Sequence, residues 1–212
     1  MCQHCDDAPC MKAATGDAVT KRADGIVIID PVKAKGQKQI VDACPYGAVH
    51  WNEEKQLPQA WPFDAHLLDG GWAEPRCATA CPTGAIRAVK ATDAEMASLR
   101  AREGLEELDP AAATQPRVLY KNLHRFTKAM IAGTVASDKS GADECVGNAQ
   151  VTLRKGETVV AETKTDAFGD FRFDRLDPDS GGYNLSVSKD GLGTATVDIN
   201  LGDSLTLDAI RI

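Results

Sequence analysis

Beyond residue 131, apolar and polar positions alternate along the chain. The stretch VTLRKGETVVAETKTDAFGDFRFDRL keeps a two-residue period through most of its length, and residues two apart share one face of a strand. Turn-forming clusters interrupt the alternation at short intervals: KGE, AFGD, DPDSGG, KDG and LGD. The pattern predicts strands over 131–136, 150–154, 157–164, 170–174, 183–188, 194–199 and 204–211. Short strands with closely spaced turns predict an antiparallel β-sandwich. The preceding region reads differently. EMASLRAREGLEELD carries Met96, Leu99, Leu105 and Leu108 at helical spacing, interrupted by Gly104. Pro110 and Pro116 then break the chain, and RVLYKNLHRF reads as extended or mixed. Before about residue 95 the chain is rich in Cys, Pro and Trp. Three regions result: a small α+β domain over 1–95, a connector with a helix over 96–130, and an all-β sandwich over 131–212.

Composition narrows the function classes. The 212 residues are 43% hydrophobic and 26% charged, which suits a packed core. The net charge is -7, and no Lys/Arg block suggests a nucleic-acid surface. Beyond residue 130 lie 14 acidic and 8 basic side chains, so most of the negative charge belongs to the sandwich. No run of eighteen apolar residues predicts a membrane span. The first residues lack the basic flank and apolar stretch of a secretory signal, and a cytoplasmic location is expected. No P-loop, dinucleotide fingerprint, His-Glu-x-x-His or nucleophile–base pair is visible. The chain alone is therefore not expected to catalyse a reaction.

The cysteines carry the chemistry. There are seven, and six of them precede residue 82. Three stand in the first ten residues, MCQHCDDAPC. An odd number of bunched thiols points to metal or a redox cofactor, not to a disulfide framework. An internal repeat accompanies them: ACPYGAVHW at 43–51 matches ACPTGAIRAV at 80–89, and KAATGDAVTKR at 12–22 is a weaker copy without its Cys-Pro. Cys-Pro closing a short run of cysteines is the iron–sulfur signature of bacterial ferredoxins, whose fourth Cys ligates the other cluster of the pair. A 4Fe-4S cube takes three thiolates from one tight loop and a fourth from elsewhere in the fold. Proline after that Cys fixes the direction of the chain.

The stretches CQHCDDAPC, KRADGIVIIDPVKAKG, CPYGAVHWNEE, DAHLLD, PRCA and QPRVLYKNLHRF resemble the iron–sulfur subunits of molybdopterin oxidoreductases of the dimethyl-sulfoxide-reductase type. Within that group they are most similar to the small subunits of pyrogallol–phloroglucinol transhydroxylases, which also end in a β-sandwich. The resemblance implies a ferredoxin-like fold at the front and an Ig-like or Cna-B-like sandwich behind it. It also implies which positions hold metal. Cys2, Cys5 and Cys10 match the first three ligands of one cysteine group, whose fourth falls at Ala14. The next group would supply Ala34, Gln37 and Ile40, and keeps only its fourth ligand, Cys44. With crossed ligation, Cys2, Cys5, Cys10 and Cys44 complete one 4Fe-4S site, while all four ligands of its partner are lost. A Cys-x-x-Cys pair expected further on appears as Trp61 and Asp64; Cys77 and Cys81 remain as weaker ligand candidates. By the family plan, the partners of Cys81 lie upstream of Met1, which implies a shortened front end. Asp64 is a minor candidate for iron.

The resemblance also implies a partner, a large catalytic subunit carrying molybdopterin and acting on polyhydroxylated aromatics. The chain itself would transfer electrons or support that cofactor. Two rivals stand beside this reading. Four cysteines can hold structural zinc, making a stapled adaptor, and the chain can be a degenerate structural subunit without electron transfer. Other residues are expected to be structural: His4 at solvent or on the rim of the site, Tyr46, Trp51 and Trp72 as shielding, Lys12, Lys21 and Arg22 as a solvated basic group, and His50, His66 and His124 as scattered. Cys145 is expected in the core, with Phe168, Phe171 and Phe173 as core or interface aromatics.

Overall fold

The structure is a computed structural model that describes residues 1–138, 141 and 144–212. It divides into two compact units, Met1–Asn122 and Leu123–Ile212. No helix among the described residues is long and apolar enough to cross a membrane.

The first unit is assembled from short pieces. Helix α1 (Pro9–Ala13) opens with Pro at its first turn and precedes a hairpin of β1 (Val19–Lys21) and β2 (Val27–Ile29). Helix α2 (Gln39–Asp42) precedes a second hairpin, β3 (His50–Asn52) with β4 (Leu57–Gln59). Two one-turn helices follow, α3 (Ala65–Asp69) and α4 (Arg76–Thr79). The core of the unit is small and apolar: Ala18, Val19, Val27, Ala34, Ile40 and Val49 are buried together, with Cys10 and Cys44 packed on it.

The expected helix in the connector is α5 (Asp93–Glu103), earlier than the apolar spacing placed it. A capping box starts it: Thr92 Oγ1 accepts from Glu95 N–H, and Glu95 returns a bond to Thr92 N–H. Gly104 at φ 63° ends it, so Leu105 and Leu108 lie outside the helix. The following chain forms a 3₁₀ turn at Pro110–Ala112 and an isolated bridge, Glu106 with Tyr120. All of this belongs to the first unit.

The second unit begins with a short helix, α6 (His124–Thr127), and is otherwise strand. The strands are β5 (Ala129–Ser137), β6 (Glu144–Cys145), β7 (Gln150–Lys155), β8 (Thr158–Lys164), β9 (Asp170–Leu176), β10 (Gly181–Lys189), β11 (Gly193–Leu201), β12 (Leu205–Thr206) and β13 (Ile210–Arg211). One sheet has the order β11-β10-β7-β8, all antiparallel. The other is built on β5, which pairs antiparallel with β6 and β9 and parallel with β12 and β13. The sandwich is thus not wholly antiparallel, and the single last strand expected over 204–211 is two short ones. Alternate residues of β5 (Ile131, Val135), β7 (Val151, Leu153), β9 (Phe171, Phe173) and β10 (Leu185, Val187) fill the core, as a strand's two-residue period requires.

One expectation for a side chain fails, and for Phe168 the interface alternative is left in place of the core one. Cys145 is exposed, because β6 is a two-residue edge strand with both residues outward. Phe168 is 72% exposed, because it stands at the tip of a turn. That turn is held from within: Asp166 Oδ1 accepts from Phe168 N–H and Asp170 N–H. Buried Thr165 braces its base, donating to Val146 O at 2.6 Å and accepting from Ala149 N–H at 2.8 Å.

Gly169 follows at φ 81°, where an added Cβ would stand 2.5 Å from Val135 O. Gly169→Ala is therefore expected to destabilise the second unit strongly, through both the backbone conformation and the clash. Leu185→Ala should cost about 2–5 kcal/mol by leaving a cavity. Urea unfolding followed by circular dichroism measures both.

Candidate metal centre

The ligand loop is short and heavily tied. His4 adopts φ 47°, an uncommon backbone state for a side-chain-bearing residue, so the chain folds sharply between Cys2 and Cys5. Pro9 and the first turn of α1 then fix Cys10. Residues 114–117 lie alongside the loop: Asp6 N–H donates to Gln115 O, Asp7 N–H to Thr114 O, and Arg117 N–H to Gln3 O, at 2.9, 3.1 and 2.9 Å. Side chains reinforce this strap. Gln3 Nε2 donates to Tyr120 Oη at 2.9 Å, and Arg117 Nε donates to Asp6 at 2.6 Å. Lys21 Nζ reaches in from β1 to His4 O and Cys5 O, at 2.8 and 2.9 Å, and pairs with Asp6. Burial opposes the charge of Asp6, but bonds from Arg117 and Lys21 outweigh it and hold its carboxyl below the ordinary range.

The four expected thiols come together. Cys2 and Cys5 each feel the charge of Cys44, and Cys10 feels Cys2, Cys44 and Cys5. Burial, followed by this mutual repulsion, pushes the Cys10 thiol up to about 11. Burial also raises Cys2 and Cys5. Thiols gathered in this way keep their protons unless a cation replaces them. Among the described residues, no three His, Cys, Asp or Glu side chains close tightly enough to hold a single metal ion. The donor set is four sulfurs, which suits an iron–sulfur cluster.

His4 is not at solvent. It is buried, and burial lowers it to about 4, so the ring is neutral. Its Nδ1 accepts from Val27 N–H at 3.1 Å. The ring packs edge-on against Trp61 and Phe63, with centroids 5.7 and 5.5 Å away. Tyr46 Oη lies 2.7 Å from Thr114 Oγ1. Trp51 is half-buried and Trp72 is 48% exposed. Lys12, Lys21 and Arg22 are each paired with carboxylates, Lys12 with Asp7 and Arg22 with Asp24 and Asp69.

The positions read as a lost second set do not fit a cluster. Ala34 and Ile40 are fully buried in the apolar core, and Ala14 packs on it. Gln37 exchanges bonds with the Thr15 main chain, accepting from its N–H at 2.9 Å and donating to its carbonyl at 3.1 Å, and also donates to Lys33 O.

Cys77 and Cys81 lie apart from the four. Asp64, buried at the lost-cysteine position, accepts from Arg76 N–H at 3.0 Å and from its guanidinium at 3.1 and 2.6 Å. Both carboxylate oxygens are thus engaged by Arg76. The repeat does fold as a repeat. Cys44 and Cys81 each follow a one-turn helix, and each accepts at its carbonyl from a glycine three residues on, Gly47 and Gly84, with φ 58° and 64°. Cys44 Sγ accepts from Ala48 N–H. Bonds from the Thr83 hydroxyl and the Ile86 N–H, with smaller help from Thr83 and Ala85 N–H, lower the Cys81 thiol to about 7. The two copies differ in cover: Ala48 and Val49 are buried, whereas Ile86 is exposed.

Residues 1–91 match the family described as a 4Fe-4S dicluster domain, and residues 130–210 match the carboxypeptidase regulatory-like domain. The whole chain is 43% identical over 214 residues to the pyrogallol hydroxytransferase small subunit of Pelobacter acidigallici, covering 76% of that protein. The chain belongs to this family of molybdopterin-oxidoreductase iron–sulfur subunits. A second relative is a subunit of the tetrathionate reductase of Salmonella typhimurium, 34% identical over 127 residues, which span 58% of this chain and 50% of that protein. The chain therefore covers about three quarters of the length of one relative and half the length of the other. Among solved structures, 5-hydroxyisourate hydrolase of Klebsiella pneumoniae aligns with 39% of this chain and 90% of its own at TM-score 0.33 and 17% identity.

Sequence reading missed the strap. Thr114, Arg117 and Tyr120 lie in a proline-broken segment without periodicity; its one signal was that QPRVLY is among the stretches that carry the resemblance. Lys21→Met should strip two loop carbonyls and Asp6 of their cation, costing about 1–3 kcal/mol. The measurement is the urea midpoint of the first unit by hydrogen exchange. Acid should loosen the same strap. Because the Asp6 carboxyl is depressed in the fold, its contribution is complete above the ordinary carboxylate value and disappears as pH falls through the depressed one.

Proposed function

We infer that the first unit holds one 4Fe-4S cluster on Cys2, Cys5, Cys10 and Cys44. The chain would then act as the electron-transfer subunit beside a large molybdopterin-bearing catalytic subunit acting on polyhydroxylated aromatics. The observation that carries this is the gathering of four thiols, three from one loop and one from the repeat, with Cys5 buried, the others half-buried, and Cys10 and Cys44 packed on an apolar floor. The two helix–hairpin modules in the first unit suit a ferredoxin-like arrangement. Membership of the family supports the partner, and 76% coverage of the pyrogallol enzyme's small subunit supports its substrate class.

When bound, the cluster supplies one-electron transfer at a potential set by its surroundings. The protein's own part is to bind, orient and dry the site. The strap and Lys21 keep the loop's shape, the apolar floor under Cys10 and Cys44 excludes water, and His4, being neutral, adds no charge. Cys81 and Cys77 are weaker candidates for a further site with sulfur donors from other polypeptide. The half-buried, N–H-lined thiol of Cys81 suits such a role. A cytoplasmic location accords with seven free thiols. The acidic sandwich is read as a bracing module. The zinc-stapled alternative puts all four sulfurs on one ion, and colour and metal content separate it from the cluster.

Iron and acid-labile sulfide measured after anaerobic purification should each be about four per chain. Cys44→Ala should lose both, together with the low-temperature paramagnetic signal seen after dithionite. One zinc without iron would overturn the electron-transfer reading.

A further inference from the structure

Strand β11 is an edge of the four-stranded sheet. Its nine residues, GTATVDINL, pair with β10 without a bulge, from Leu201 opposite Gly181 to Gly193 opposite Lys189. No main-chain bond from any described residue reaches its other side. The opposite edge of the sheet is different. There β8 is broken by a register shift against Leu153 and Arg154, and it carries Glu162 and Lys164. Bulges and charges are the usual devices that blunt a sheet edge. β11 has neither bulge nor proline, and its single charge is Asp198. Nine residues make an edge about 30 Å long, whose unpaired donors and acceptors favour the addition of another strand.

The side chains of β11 favour one strand in particular, namely itself. On one face stand Thr194, Thr196, Asp198 and Asn200, all exposed. On the other, Ala195 and Val197 are half-buried, and Ile199 and Leu201 are buried. Two copies run antiparallel with Val197 on a two-fold axis set Thr196 opposite Asp198 and Thr194 opposite Asn200. Ala195 then meets Ile199, and Gly193 meets Leu201, so the whole strand is paired with polar against polar and apolar against apolar. The carboxylate has room for this. Asp198 Oδ1 accepts from Asn184 Nδ2 at 2.8 Å, leaving Oδ2 to accept the Thr196 hydroxyl of the second copy. Moving the axis to Asp198 sets two like charges face to face, which is unfavourable. Moving it to Thr196 leaves Asn200 and Leu201 beyond the strand of the second copy.

We propose that β11 pairs antiparallel with β11 of a second copy of this chain about Val197, joining two four-stranded sheets into one. The contact is isologous, so every side-chain pair away from the axis occurs twice. Ala195 and Val197 gain cover from Ile199 and Val197 of the second copy. The contact lies within the second unit and holds with or without a metal centre in the first.

Sedimentation velocity of the full chain across a range of concentrations tests this, at physiological salt where the net charge of -7 is screened. The mass should move from one chain toward two as concentration rises. Amide hydrogen exchange should slow in β11 at high concentration and little elsewhere. Thr196→Asp sets like charges opposite each other twice and should weaken the dimer about tenfold. Thr196→Lys, at the same exposed position, should tighten it, and added salt should remove the gain. A chain that stays single at every concentration overturns the pairing, as does a dimer whose slowed amides lie outside β11. Slowing of β11 that appears only with the large catalytic subunit overturns it too, because the occupant is then another protein. Equal weakening by both substitutions overturns the register. If Thr196→Asp does not fold, Thr196→Lys decides: salt-sensitive tightening supports the register, and no change overturns it.

Discussion

The main-chain bonds between residues 3–7 and 114–117 are the contact on which the front of this protein depends. A loop carrying three thiols has little to stabilise it alone. It is too short for a sheet, it bends through a left-handed His4, and its thiols repel one another once charged. The strap supplies partners for loop amides and carbonyls, and Lys21 supplies a cation to the remaining carbonyls. Because Arg117 of the strap stands 111 residues beyond Asp6, the loop acquires its shape only when the whole first unit closes. The same segment delivers Thr114 to Tyr46, two residues beyond Cys44, so one strap touches both the ligand loop and the segment that carries the fourth thiol.

Beside the thiols, the fold has solved the problem of a lost cluster. A cluster that ties loops together can be removed only if something else holds them. Here an apolar floor of Ala18, Val19, Val27, Ala34, Ile40 and Val49 fills the space, and burying a side chain such as Ile40 contributes about 1.5–3 kcal/mol. Gln37 pairs its amide with the main chain of Thr15, as a neighbouring strand would. Asp64 plays a comparable part at another lost-cysteine position by binding Arg76 at the start of α4. Packing holds the chain in one place and an ion pair in the other.

The second unit is conventional by comparison. It depends on strand alternation, with one demanding turn at Thr165–Asp170 where glycine is required by a close approach to the Val135 carbonyl. Its C-terminal residues add parallel pairs to β5, covering an edge that would otherwise stay open.

Elements whose information is local were legible along the chain. Cysteine spacing and the Cys-Pro repeat pointed to the thiols Cys2, Cys5, Cys10 and Cys44, which the fold brings together, and two-residue alternation marked the strands of the sandwich. Both are properties of neighbours in sequence, where side-chain direction follows from backbone period. The rest came only with folding. It buried His4, exposed Cys145 and Phe168, split the last strand, and laid a proline-broken segment along the ligand loop as a strap. Those outcomes depend on which distant backbone groups find hydrogen-bond partners, and no spacing in one dimension records that. Thr114 shows the division most clearly: nothing near it in sequence distinguishes it, and its place comes from the loop amide and the phenol that folding sets beside it.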